Sequence, residues 1–429
     1  MTTSDQPTVP QSSPPTRVPL SILDLAVVSE GSTGAQALRD TLDTAVRADA
    51  LGYRRIWFAE HHLSPGVASA SPAVLAALVA ERTSRIRVGS GAVLLSTTSP
   101  LIAAEQFGTV AALHPGRVDL GLGRAFTPPP AKGGKSASGE APPSGTGEAP
   151  AAPPVPPAPA RPAGMRVVDG LLVPAAPGVD LSDSALRERL LAQKEVVGAS
   201  RTPGEFRAEL ELVLGLRAGT FTDGAGTGWT SPPVEGAAFD LFVLASSGGV
   251  SARVAGELGL PLAANYHVGP SATLDTIAAY RAAFRPGVLD RPYVVVSADV
   301  LVADTDDEAR RIGEPFTAWV LSIRRGAGGA IAYPAPGTSP AWEDLSDADR
   351  AAVQDRVDTR FVGSPETVVE RLETLARVTA ADEIVITTAA HDPADRARSF
   401  DLLARHWGLL PTDAARPGVA AAREPALAR

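Results

Sequence analysis

The chain has 429 residues, 44% hydrophobic and 20% charged, which suits a globular protein of two or three domains or a single β/α barrel enlarged by insertions. No apolar run is long enough to cross a bilayer, and a formal charge of -9 without long acidic or basic blocks argues against nucleic acid as a partner. The absence of cysteine excludes disulfides, thiolate metal sites and a cysteine nucleophile, so any redox chemistry must come from a bound cofactor.

Residues 1–17 are polar and proline-containing, with neither a basic start nor an apolar stretch for export, and predict a disordered tail on a cytoplasmic protein. A first strand is expected from Ile22 to Val28. It is followed by a helix in which Ala37, Leu38, Leu42, Ala45, Val46 and Leu51 recur at helical spacing and Gly52 supplies the stop. The second strand runs from Arg55 to Glu60, and Ser71-Pro72 opens the next helix with an N-cap serine and a proline in the first turn. The third strand is expected from Ile86 to Leu95 and the fourth from Val118 to Arg124.

The fourth unit is then interrupted. Residues 127–164 hold twelve of the 39 prolines and are otherwise mostly Ala, Gly and Ser, a composition that cannot build a core. They read as a mobile insertion or as a segment that orders over the mouth when substrate binds. Beyond it, Leu171 to Pro174 form a short strand or edge piece, and Leu186 to Val197 and Phe206 to Ala218 read as helices that restore the fourth unit. Further strands follow at Leu241 to Ser246, Pro261 to Tyr266, Tyr293 to Val302 and Glu383 to Thr388, with a long connection from Arg324 to Asp347 and a helix opened by Ser364-Pro365-Glu366. Eight βα units predict an α/β fold, a single (β/α)8 TIM barrel over residues 18–410 with a Pro/Ala/Gly-rich insertion after strand 4, and a flexible tail over 411–429.

In such a barrel the usable positions are the C-terminal ends of the strands. The second strand runs into Glu60-His61-His62, and because neighbouring strand residues face opposite ways, one histidine faces the mouth. Its imidazole could serve as general acid or base with Glu60 setting its tautomer or pKa; otherwise both histidines cap the rim. No ligand set for a metal accompanies them. The third strand contains Gly89-Ser90-Gly91-Ala92, where glycine indicates either close approach of a flat ligand or packing relief. Arg124 ends the fourth strand and could grip a phosphate, or be an ordinary rim arginine. The fifth strand leads into Ser246-Ser247-Gly248-Gly249-Val250-Ser251 and a helix, a phosphate site if it is more than ordinary loop composition.

Together these stretches resemble the bacterial luciferase-like class of flavin-dependent monooxygenases. The resemblance is carried by Trp57 to His62, Arg85 to Gly91, Pro100 with Ala104 to Gly108, Pro115 to Arg124, Ser246 to Gly248 and Phe361 to Glu366. It implies that His61 is the catalytic histidine, managing protons at the flavin–oxygen intermediate, with Glu60 behind it. It further implies a non-prolyl cis peptide at Gly91-Ala92 behind the flavin ring, Arg124 as a flavin-phosphate ligand, and Ser247, Gly248, Gly249 and Ser251 as the phosphate cradle. The insertion after Arg124 departs from the family pattern and concerns substrate access. No strand-linked GxGxxG is present for a nicotinamide dinucleotide, so the expected reductant is reduced FMN supplied by a separate flavin reductase. The expected activity is transfer of one oxygen from dioxygen to a small organic substrate. The alternatives are hydride transfer with a deazaflavin coenzyme and, less favoured, a non-catalytic flavin-binding barrel; a homodimer is a family expectation.

Overall fold

The apolar runs of the chain are too short to bury themselves singly, and in the computed structural model they pair side by side. The structure describes residues 17–124, 164–176, 184–197, 205–325 and 329–409. The strands are β1 (Leu20–Asp24), β2 (Arg55–Phe58), β3 (Arg87–Ser90), β4 (Val93–Leu94), β5 (Val118–Gly123), β6 (Arg166–Val168), β7 (Leu171–Val173), β8 (Phe239–Ala245), β9 (Leu262–Asn265), β10 (Val294–Val302), β11 (Phe361–Gly363) and β12 (Glu383–Thr387). In the order β1-β2-β3-β5-β8-β9-β10-β12, each barrel strand pairs parallel with the next. β12 returns to β1 with Leu20 opposite Ile384. The result is a closed eight-stranded parallel barrel ringed by helices, the (β/α)8 architecture read from the sequence.

Side chains alternate between the helical shell and the barrel lumen. Outward residues such as Ile22, Ile56, Val88, Leu120, Val296 and Ile384 join the large core beneath the helices. Inward residues Leu23, Trp57, Ala59, Phe242, Ala263, Val295 and Val385 form a separate apolar plug. Below that plug Arg55 is buried against Asp119 and Glu383, which closes the N-terminal floor and leaves chemistry to the opposite end.

Several boundaries differ from the sequence reading. The first strand spans Leu20–Asp24 rather than Ile22 to Val28, because Asp24 Oδ1 accepts the Ala26 N–H at 2.7 Å and Ala26 turns to a φ of 50°. The third strand divides into β3 and β4 at Gly91-Ala92, whose peptide bond is cis. Ser71 occupies the N-cap position without making a capping bond, whereas Ser364 Oγ accepts from Thr367 N–H. The piece beginning at Leu171 is one arm of the antiparallel hairpin β6–β7. Of the two helices assigned to the fourth unit, Phe206–Ala218 contributes Phe206, Leu210, Val213 and Leu216 to the main core. The helix Ser184–Val196 instead reaches the loop after β2, with Gln193 Nε2 donating to His62 O at 2.8 Å and Arg189 Nη2 to Leu63 O at 3.1 Å. The connection after β10 is structured at both ends. Helices Phe316–Arg325 and Asp347–Asp358 bring Phe316, Trp319, Val320 and Val353, and the segment between them brings Tyr333, against Val27, Val67 and Ala389. The insertion read over 127–164 and the tails read over 1–17 and 411–429 lie outside the described residues, Arg17 and Gly164 excepted. Among the described residues no helix is long and apolar enough to cross a membrane.

Candidate functional site

β2 delivers the first functional group. Trp57 and Ala59 point into the lumen, so two-residue periodicity places His61 on the same side as the chain leaves the strand. Its backbone is held by His61 N–H donating to Ser69 O at 2.9 Å, while Ser69 Oγ donates to Ala59 O at 2.5 Å. The His61 side chain has no hydrogen-bond partner among the described residues and is open to solvent, yet protein gathers round it closely enough to desolvate the charged form. Desolvation there, followed by the neighbouring His62, lowers its pKa from the ordinary value, and Glu60 opposes them only in part. His61 is therefore a neutral imidazole at neutral pH, free to accept or pass on a proton.

Glu60 faces the other way, and beside its charge effect on His61 it makes three hydrogen bonds of its own. Its Oε1 accepts from His62 Nε2 at 2.7 Å and from the Thr97 hydroxyl at 2.6 Å, and its Oε2 accepts the Leu94 N–H at 2.9 Å. The carboxylate thus pins the β2 exit to β4 and fixes His62. It reaches His61 through charge alone.

Gly89 in β3 and Gly91 just beyond it stand where protein packing leaves no room for a side chain. A Cβ on Gly89 would fall 2.3 Å from Asp119 O, and one on Gly91 would fall 2.8 Å from Leu23 Cδ1 and 3.2 Å from Trp57 Cβ. On the side where a Cβ would point, the space is already filled by protein, so packing by itself calls for glycine at both positions. Ala92 follows across the cis bond and is buried, its methyl 3.1 Å from where a side chain on Gly123 would begin.

β5 and β8 lie side by side with Gly123 opposite Leu244, so Arg124 and the Ala245-Ser246 exit leave the barrel at neighbouring points on one rim. Arg124 is exposed. Ser246 and Ser247 are exposed as well, Gly248 and Gly249 turn the chain, and the helix Val250–Glu257 begins with Gly249 as its N-cap. No side chain caps that helix, so its first-turn N–H groups are open to an outside acceptor. Ser251 lies in the same turn, half-buried. A guanidinium, serine hydroxyls and the first turn of a helix that no side chain caps are groups that can donate to a phosphate. Arg124 and the Ser247-Gly248-Gly249-Ser251 turn share one stretch of rim, and His61 opens onto the same end of the barrel from β2.

The sequence reading passed over the β9–β10 side of the mouth. His267 lies just beyond β9, with Nδ1 2.6 Å from Ser297 Oγ. Ser297 belongs to β10 opposite Asn265 and is inward-facing, as is Asp299 two residues on. Burial, then Arg356, then His61 push the His267 pKa down to about 3. The coupling to His61 places both imidazoles in one electrostatic neighbourhood. The signal was present in the sequence, since His267 directly follows the sixth predicted strand and Ser297 and Asp299 follow Val295 at period two.

Comparison with known proteins adds relatives to this geometry. Residues 18–148 and 210–382 match the family model described as luciferase-like monooxygenase. The chain is 33% identical over 397 residues to the uncharacterized protein YvbT of Bacillus subtilis (strain 168), covering 90% of this chain and 96% of that one. It is 30% identical over 388 residues to a protein of Escherichia coli (strain K12) named luciferase-like monooxygenase, covering 90% and 96%. Among solved structures, apo-MsnO8 is similar at a TM-score of 0.66 and 30% identity, covering 92% of this chain and 100% of the other.

Proposed function

Because the chain belongs to the luciferase-like monooxygenase family, we propose that it binds reduced FMN across the C-terminal mouth of the barrel and places one oxygen atom of dioxygen on a small organic substrate. The carrying observation is the convergence on one rim of a phosphate-type donor set, Arg124 with the Ser247–Ser251 turn, while the neutral His61 opens onto the same mouth. Bound reduced flavin supplies the electrons that activate oxygen.

The protein's own residues supply the rest. Arg124 and the turn hold the phosphate tail, Ser247 and Ser251 through hydroxyls and Gly248 and Gly249 by letting the backbone come close. Gly91 and Ala92 form the wall against which the ring lies. His61 holds or moves a proton at its imidazole, and Glu60 keeps the loop that carries it in register. The reductant arrives from a separate flavin reductase, in keeping with the missing dinucleotide motif.

Two structures of the same fold mark the choice of cofactor. A type II Baeyer-Villiger monooxygenase in complex with FMN is 18% identical to this chain, and an F420-dependent secondary alcohol dehydrogenase is 11% identical. Difference spectra against reduced FMN and against the deazaflavin test the reading. FMN binding with oxygen consumption is the expected result; tight deazaflavin binding without oxygen consumption would replace it with hydride transfer.

A further inference from the structure

The wall of the mouth formed by β9 and β10 carries an imidazole that the proposed cofactor site does not use. Along β9, Leu262 and Ala264 face the outer core and Ala263 belongs to the lumen plug, so period two turns Asn265 and His267 inward as the chain leaves the strand. Along β10, Val295 lies in the same plug, which turns Ser297 inward beside Asn265, its partner in the strand register. β2 and β9 stand half a turn of the barrel apart, so His267 faces His61 across the mouth.

Hydrogen bonds fix which nitrogen of His267 is free. Ser297 Oγ donates to Asn265 Oδ1 at 3.3 Å, and Asn265 Oδ1 also accepts the Val268 N–H at 3.1 Å. With its one proton committed there, Ser297 Oγ can only accept at its 2.6 Å contact with His267 Nδ1, so Nδ1 carries the ring proton and Nε2 a lone pair. The His267 backbone N–H donates to the same oxygen at 3.5 Å. The serine hydroxyl is thereby fully used, and the ring cannot exchange its proton between nitrogens without breaking the set. Burial, then Arg356, then His61 push the imidazole pKa down to about 3, so the ring is neutral.

Nε2 is turned away from Ser297. It has no hydrogen-bond partner among the described residues and is not sealed inside the protein. Asp299, the next inward residue of β10, is held by Arg360 Nε at 3.0 Å and Arg356 Nη2 at 3.7 Å, so its charge is met away from the ring. The mouth thus presents one fixed acceptor above the apolar plug that contains Ala59, Ala263 and Val295.

We propose that His267 is a substrate-binding residue whose Nε2 accepts a hydrogen bond from a hydroxyl or N–H group on an otherwise apolar substrate, with Ser297 and Asn265 as the positioning residues that hold the ring in that tautomer. The assignment deepens the proposed oxygenase reading and rests on the mouth being its active site. In that reading β5 and β8 grip the cofactor phosphate, Gly91 and Ala92 back its ring, and the β9–β10 wall is left to the substrate. A donor held at Nε2 leaves the apolar body of the substrate over the plug, between His267 and His61.

The isomers p-cresol and anisole, of which only p-cresol can donate, test the idea on the full-length protein without cofactor. Binding is read from the thermal unfolding midpoint and from nitrogen NMR of the imidazoles, with the His267 signals assigned by comparison with His267→Asn or His267→Gln. The wild-type spectrum at neutral pH is expected to show Nδ1 protonated and Nε2 bare, and p-cresol, tighter than anisole by about three- to tenfold, should shift the Nε2 resonance. His267→Asn keeps a group for Ser297 but removes the acceptor, and should abolish the preference. His267→Gln, whose amide reaches the Nε2 position, should recover part of it. Ser297→Ala should let the ring proton move to Nε2 and weaken p-cresol while leaving anisole unchanged, a change of tautomer that a merely structural serine would not produce. A wild-type ring protonated on Nε2, equal binding of the two probes, no binding of either, or a preference that survives His267→Asn overturns the proposal. If His267→Asn does not fold, the wild-type tautomer and the probe pair decide it. FMN affinity measured on the same samples separates the two readings. Wild type that fails to bind FMN would remove the cofactor assignment and leave the p-cresol result standing, whereas an FMN loss in His267→Asn equal to the p-cresol loss would give Nε2 to the flavin and overturn the substrate assignment.

Discussion

Arg55 grips Glu383 with two nitrogens, Nε at 2.7 Å and Nη2 at 3.0 Å, across the width of β1, while its remaining nitrogen holds Asp119 at 2.7 Å. One guanidinium therefore ties β2, β5 and β12 together at the barrel floor, where Trp57 Nε1 at 3.0 Å and Arg87 Nε at 2.9 Å also bond Asp119, and the Tyr293 hydroxyl at 2.7 Å and the Ser21 hydroxyl also bond Glu383. Arg55→Met would leave Asp119 to Arg87 and Glu383 with Arg54 at 3.6 Å as its remaining guanidinium, and the expected loss is about 3–5 kcal/mol of folding stability by urea denaturation. A loss under about 1 kcal/mol would mean that the floor is not held this way.

The close strand contacts predict a contrast between glycines. Gly89→Ala drives a methyl into Asp119 O, backbone that cannot swing aside, and should cost about 1–3 kcal/mol or more. Gly224, with nothing within 4 Å of an added Cβ, should accept alanine with little change. Similar unfolding midpoints for the two variants would contradict the packing account.

With the role proposed for it, His61 should carry the pH dependence of turnover. Its pKa lies below the ordinary imidazole value of 6.5, so the neutral form prevails above that value and is lost as pH falls through the lowered one. Turnover should be flat through neutrality and fall only on the acid side, and His61→Ala should lower it by roughly 10²–10⁴-fold with FMN affinity preserved. A variant as active as wild type would take His61 out of the chemistry.

His267 makes a separate prediction about stability. The unfolded chain takes up its proton near pH 6.5 and the folded protein only near 3, so the unfolded state binds more protons between those values. Stability should be unaffected above pH 6.5 and decline as pH falls toward 3, by about 1.4 kcal/mol for each unit of separation. Arg356, and His61 once it is itself protonated, favour the neutral form, and Ser297 holds the ring. His267→Asn should flatten that stretch of the stability–pH curve; an unchanged slope would assign the decline to other groups.

The barrel was legible because its signals are local and repeat. Apolar runs alternate with helical spacing, and caps such as Gly52, in the left-handed region at φ 86°, and Ser364 mark helix ends. The strand exits at His61, Arg124 and Ser247 could be read as a set of places before their relation in space was known. What the sequence could not convey is which acid meets which base. Glu60 stands next to His61 in the chain yet bonds His62, Thr97 and Leu94, because strand alternation turns its side chain away. The Asp299–Arg356–Arg360 cluster joins residues about sixty positions apart and has no local pattern. β11 is only three residues long and finds its partner at Val300 to Val302, which no period-two count over Phe361–Gly363 could announce.

The most direct test of a phosphorylated flavin held at this rim is a comparison of FMN with riboflavin in wild type and in Arg124→Ala. The two ligands differ only in the phosphate, and the substitution should weaken FMN by about 1.5–3 kcal/mol while leaving riboflavin nearly unchanged. Equal losses for both ligands, or none for either, would place Arg124 away from the phosphate and contradict the account.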